Sequence, residues 1–185
     1  MRMIIVGPPG GGKGTQAKNI SERLSIPHVS TGDIFRENLS KGTDLGKEAK
    51  KYMDEGKLVP DDVTIAMVKD RVSTDDCSDG FLLDGFPRTL HQAQELDKFT
   101  SIEKVIQIDV PDDVCVQRII GRAGEGAGRA DDNEDTARER LKVYHDQTEP
   151  ILEHYGDKGI VDKVDGTKSI EEVWKDILSI IDSPE

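Results

Sequence analysis

The sequence predicts an α/β domain: a doubly wound, five-stranded parallel sheet with two small mobile insertions. Three observations carry that expectation. Short apolar, β-rich runs alternate with segments of helical periodicity, the pattern of a parallel sheet covered on both faces. The first run passes straight into a glycine-rich loop containing a lysine, Gly7-Pro8-Pro9-Gly10-Gly11-Gly12-Lys13-Gly14-Thr15. At 185 residues the chain has the length of one domain, residues 1–185, with no room for a second catalytic domain.

The elements follow in order. Residues 3–6, Met-Ile-Ile-Val, read as a buried strand. The loop after it satisfies G-x-x-x-x-G-K, in which glycines let backbone N–H groups face phosphate oxygens and the lysine adds a mobile charge. A helix starting near Lys13 would turn its positive dipole end on the same anion, so this P-loop predicts a nucleoside polyphosphate ligand. One feature departs from the motif: position 14, usually a magnesium-ligating Ser or Thr, is Gly14, and the hydroxyl arrives at Thr15. A second strand at 26–29 leads to Thr31 and Asp33, and a third at 81–83 leads to Asp84 and Arg88. Strands at 105–110 and 160–164 complete the sheet, whose ligands belong at the carboxyl ends of its strands.

Two stretches interrupt the alternation. Residues 30–60 are polar, with Gly32, Gly42, Gly46 and Gly56 expected to mark turns between short helices. Residues 121–131 form a glycine-rich loop read as a movable flap carrying arginines, with a plain surface linker as the alternative. A last helix from Ser169 spaces Ile170, Val173, Trp174, Ile177, Leu178 and Ile181 as a core face.

Composition narrows the function. A net charge of −12, from 37 acidic and 25 basic residues, argues against nonspecific nucleic-acid binding and anionic membranes, so the basic residues must be concentrated locally. No run approaches the ~18 apolar residues of a membrane span, and no charged leader with an apolar core precedes the first strand, so a cytoplasmic protein is expected. Cys77 and Cys115 are far apart and have no partner at metal spacing, so both read as free thiols. His28, His91, His145 and His154 are scattered and receive no catalytic role.

With Asp84-Gly85-Phe86-Pro87-Arg88 the sequence reaches a recognisable family. That motif, the phosphate loop, Ser30-Thr31-Gly32-Asp33, Arg36, Gly56-Lys57-Leu58-Val59-Pro60 and Gly128-Arg129-Ala130-Asp131-Asp132 occur in the order found in adenylate kinases. Over essentially its whole length the chain resembles that family of nucleoside monophosphate kinases, which implies magnesium-dependent transfer of a phosphoryl group from ATP to AMP, giving two ADP.

By resemblance, Gly10, Gly11, Gly12, Lys13, Gly14 and Thr15 hold the donor phosphates, bordered by Arg118 and Arg122, and Lys168 lies in the donor-adenine segment. Thr31, Arg36, Lys57, Leu58 and Val59 face AMP, as do Gly85, Phe86, Pro87, Arg88 and Gln92. Arg129 and Arg140 come in as the flap shuts, joining Lys13, Arg88 and Arg122 around the phosphoryl group in flight. Arginine suits this because its planar fork pairs two phosphate oxygens at once. Asp84 would hold magnesium through water, with Asp33 assisting from farther out; the bland reading of Asp84 is a turn or helix-capping residue. Phosphoryl transfer needs chiefly positioning and charge neutralisation, and a phosphate acceptor is already anionic at neutral pH, so no general base is required.

The flap of 121–131 is short and has no cysteine, which makes this the short-flap type without zinc; the resemblance also implies a monomer. Within enzymes the alternative is a UMP/CMP kinase, against which Thr31 and Gln92 favour adenine. Outside enzymes it is a noncatalytic nucleotide-binding switch, which would not need the set of arginines.

Overall fold

The computed structural model describes residues 1–126 and 132–183. Five strands, β1 (Arg2–Val6), β2 (His28–Ser30), β3 (Phe81–Asp84), β4 (Lys104–Asp109) and β5 (Val161–Asp165), form one sheet in the order β2-β3-β1-β4-β5. Every pairing is parallel, with Ile4 opposite Leu83 on one side and Val105 on the other. The order reverses at β1, so the crevice beyond its carboxyl end is where such a sheet accepts ligands.

Alternate residues of β1, β3 and β4 enter two separate cores. Met3, Ile5, Leu82, Ile106 and Ile108 pack under α1 (Lys13–Leu24), α6 (Asp112–Gly124), α7 (Glu134–Val143) and α9 (Ile170–Ile181). Ile4, Val6, Leu83 and Val105 face the opposite way, under α4 (Asp61–Val72), α5 (Leu90–Phe99) and the short α8 (Ile151–Gly156). Burial on both faces explains why the central strands read as apolar runs. A third, smaller cluster of Phe35, Ala49 and Val59 joins α2 (Thr31–Ser40) to α3 (Asp44–Met53), giving residues 30–60 a core of their own.

The structure corrects several local expectations. Gly42 and Gly56 do sit in turns with positive φ, but Gly32 and Gly46 lie inside α2 and α3. Gly46 is needed for contact: a Cβ there would lie 2.3 Å from the backbone nitrogen of Leu39, so only glycine lets α3 fold back on α2 this closely. Helix α6 continues through Gly124, so the first residues of the expected flap are helical; residues 127–131, including Arg129, lie outside the described residues. In α9, capped by Ser169 and Glu172 in a reciprocal box, Val173, Ile177 and Ile181 are buried while Ile170 is exposed. No helix among the described residues is long and apolar enough to cross a membrane.

One surface contact makes a testable statement about pH. His145, in a π-helical turn at Tyr144–Thr148, hydrogen-bonds Glu149 at 2.9 Å and Asp112 at 2.8 Å, tying α6 to the chain after α7. The bond to Glu149 first, then that to Asp112, raises its pKa above the ordinary 6.5. A raised folded-state pKa stabilises fully below the unfolded value and fades as pH climbs through the folded one. The melting-temperature deficit of His145→Gln relative to the parent should therefore be larger at pH 6 than at pH 8. Thermal melts at the two values check this, and an equal deficit would refute it.

Candidate active site

The functional side chains converge where β1 and β3 end. The phosphate loop leaves β1 and turns back through Gly10, whose φ is 78°; a Cβ there would sit 2.7 Å from the Cys115 carbonyl oxygen, so glycine is required for the loop to lie against α6. Helix α1 then begins with neither a capping side chain nor an acidic residue in its first turn, and no other described helix lacks both. Its terminal N–H groups and positive dipole end thus remain available to an anion. Lys13 Nζ donates to the Pro8 carbonyl at 2.9 Å, folded back over its own loop.

Asp84 closes β3 and is only 9% exposed. Its Oδ2 meets His28 Nε2 at 3.1 Å. Burial pushes this carboxyl up, but the His28 hydrogen bond and the positive charges of Lys13 and Arg88 outweigh burial and hold it below the ordinary carboxylate range. Asp84 is the final strand residue and caps no helix.

On one side of the loop, Thr31 Oγ1 and Arg88 Nε both donate to the Gly85 carbonyl at 2.9 Å. Gln92, 2% exposed, accepts from the Arg88 backbone N–H at 2.7 Å and donates to Asp61 at 2.8 Å. Arg36 pairs with Asp33 one turn away on α2. On the other side, Arg118 donates to the Gly166 carbonyl at 2.8 Å, and Arg122 makes two hydrogen bonds, 2.7 and 2.6 Å, to Asp132. Arg140 lies 3.7 Å from the same carboxylate, whose side chain is fully enclosed. A cavity of about 530 Å³ joins the two sides and is lined by Lys13, Asp84 and five arginines, 36, 88, 118, 122 and 140.

Most sequence-predicted residues line this cavity, including Thr31, Lys57, Leu58, Val59, Gly85 and Gln92. The exceptions have physical reasons. Phe86 is 1% exposed and belongs to the core under α5, while Pro87 borders a smaller adjoining cavity. Gly11 is buried within its turn and not on the cavity wall. Lys168 points its ammonium at Asp176 of α9, 2.6 Å away, so only its main chain remains for a base. Sequence reasoning missed Ser30, Phe35, Met53 and Thr64 as lining residues, and Asp61 and Asp132 as partners of predicted ones. Asp132 stood in a motif already noted but without a role, and among so many acidic side chains only its contact with Gln92 picks out Asp61.

Comparison with known proteins agrees with this geometry. A family model described as adenylate kinase matches residues 5–160. The chain belongs to the adenylate kinase family. Relatives named adenylate kinase include those of Clostridium perfringens strain SM101, 47% identical over 214 positions with 99% of both chains covered, and Archaeoglobus fulgidus, 47% identical over 213 positions with 98% of both covered. That of Clostridioides difficile is 44% identical, with 99% of both covered. Full-length relatedness at this level assigns adenylate kinase activity, that of a nucleotide-binding phosphotransferase, to the chain. The alignments are longer than these 185 residues, so the relatives carry positions that this member of the adenylate kinase family lacks.

Neither thiol belongs to the chemistry. Both cysteines are buried and free, and burial pushes the Cys115 thiol up to about 11 against the attraction of Lys13.

Proposed function

We propose that the cavity holds ATP and AMP end to end and that the terminal phosphoryl group passes directly between them in line, reversibly, giving two ADP. One observation carries the reading: a chain of net charge −12 gathers five arginines and Lys13 around one cavity at the uncapped start of α1. Two polyphosphates brought end to end need that concentration of positive charge, and an acidic protein has no other reason to build it. Lys13 and the loop take the donor phosphates, Arg118 and Arg122 flank them, and Arg36 and Arg88 take the acceptor phosphate. Arg140 reaches the cavity from α7, and Arg129 would join it as the flap shuts. Thr31 and Gln92 read the acceptor base.

Asp84 fits magnesium held through water. It is a single ionised carboxylate at the cavity wall with His28, not a second carboxylate, as its hydrogen-bond partner, and Mg2+ commonly keeps several waters while binding one or two carboxylates and substrate phosphates. When bound, the ion would neutralise charge on the donor phosphates. Asp33 lines the same cavity but is paired with Arg36, so it would contribute only through further waters. We assign the relatives' additional positions to the flap, kept here to 121–131 without cysteine, so zinc has no role. The protein acts as a cytoplasmic monomer.

The test is a coupled assay for ADP with AMP, CMP, UMP and GMP side by side, run with magnesium after dialysis against a zinc chelator. AMP should be the preferred acceptor by at least tenfold, and Gln92→Ala should raise the AMP Michaelis constant while leaving that for ATP nearly unchanged. Equal use of CMP or UMP would overturn the acceptor assignment, and no ADP from any acceptor would leave a nucleotide-binding switch.

A further inference from the structure

We infer that Asp61 is a positioning residue that makes the acceptor site selective for a 6-aminopurine over a 6-oxopurine, by fixing which end of the Gln92 amide faces the base. The inference rests on the proposal that Gln92 reads that base.

Gln92 is held at both ends. Its Nε2 donates to Asp61 Oδ1 at 2.8 Å, and its Oε1 accepts from the Arg88 backbone N–H at 2.7 Å. The chemistry of the partners forces this orientation, because a carboxylate only accepts and a backbone N–H only donates. A flipped amide would set its NH2 against the Arg88 N–H and its carbonyl against the carboxylate, two repulsive contacts beside a residue 2% exposed.

Each end of the amide keeps one bonding position unused by these partners: a second N–H and a second oxygen lone pair. An adenine edge offers a ring-nitrogen acceptor beside an exocyclic amino donor, which matches them. A hypoxanthine or guanine edge offers an N–H beside a carbonyl, which would match only the flipped amide. Thr31 adds to the bias, since its hydroxyl proton is committed to the Gly85 carbonyl at 2.9 Å and only lone pairs are left for a base amino group. Asp61 does not reach the base itself: it stands at the first turn of α4, outside the cavity wall. Its other contacts, 3.2 and 3.3 Å, are to the Thr89 hydroxyl that caps α5, so the carboxylate fixes the helix carrying Gln92 as well as its amide.

The experiment compares kcat/KM for AMP and for IMP in the parent, Asp61→Ala, Asp61→Asn and Gln92→Ala, with the ATP Michaelis constant and melting temperature recorded for each. Losing one hydrogen-bonded anchor should reduce the AMP-to-IMP preference of Asp61→Ala by about tenfold, mainly through a higher KM for AMP. Asp61→Asn, which keeps a carbonyl oxygen where Oδ1 stood, should recover most of the preference. A role confined to stability would lower the melting temperature and leave the preference intact, and that result overturns the inference. If Gln92→Ala abolishes the preference while Asp61→Ala does not, only the role of Asp61 fails. If neither changes it, the reading of Gln92 fails first.

Discussion

Replacing Lys13 by alanine is expected to lower turnover by at least two orders of magnitude while leaving the fold intact. The ammonium sits at the start of α1 and is bonded at 2.9 Å to the Pro8 carbonyl of its own loop, a contact that keeps it beside the anion site while leaving it movable. In the proposed transfer it follows the charge that builds on the phosphoryl oxygens, an attraction stronger in the transition state than in the ground state. Removing one such stabiliser costs roughly 3 to 4 kcal/mol in enclosed sites. The fold loses little, because Lys13 is only partly buried and the Pro8 carbonyl can turn to water. Turnover of Lys13→Ala at saturating ATP and AMP, with a thermal melt as control, checks both statements. A variant keeping more than a tenth of parental turnover, a loss below ~1.4 kcal/mol, would show that the lysine serves only the loop.

The parts of this site that were legible in the sequence share a physical reason. The strand-loop-helix unit at 2–24 is local, and its glycines and lysine report a backbone shape and a charge without reference to distant residues. The central strands β1, β3 and β4 were legible because parallel strands buried on both faces read as apolar runs, whereas the edge strands β2 and β5 bury one residue each; strand ends moved by one or two residues, as where the last pair hydrogen-bonds past the apolar stretch at Asp84 and Asp165. What did not show was long-range pairing of polar residues. Nothing near Asp61 announces that it meets Gln92, 31 positions on, and nothing near His28 announces Asp84, 56 positions on. Gly32 and Gly46 misled for a related reason. Glycine marks a turn when it serves local backbone shape, but Gly46 serves the approach of one helix to another, and composition cannot separate the two uses. Arg122 and Arg140 belong to the same class: the sequence supplied the arginines, but not the enclosed carboxylate of Asp132 that both approach.

That carboxylate bears on the expected motion. Two adenosines joined through a chain of phosphates should bind roughly a hundredfold to ten-thousandfold more tightly than ATP or AMP alone, and should draw residues 30–60 and the flap together. The affinity follows from linkage: once one end is bound, the other meets its subsite at a high effective concentration, and association entropy is lost once instead of twice. The motion follows from what each side carries. Residues 30–60 have their own small core of Phe35, Ala49 and Val59, so α2 and α3 can move as a unit bearing Arg36. Across the cavity, Arg122 and Arg140 are gathered by Asp132, an anion standing where they would otherwise repel, so phosphates must add to or compete with that carboxylate. Closure is therefore set by the difference between what the arginines gain from phosphate and what Asp132 already gives them, and it should require ligand. Excluding water at that moment protects the donor from hydrolysis. Because both native thiols are buried, Glu48→Cys on α3 and Glu125→Cys just beyond α6 can be labelled selectively. Energy transfer between the labels should rise when the linked ligand binds and rise less with AMP alone. Unchanged transfer at saturating ligand would rule out closure of these two segments, even in an enzyme with full kinase activity.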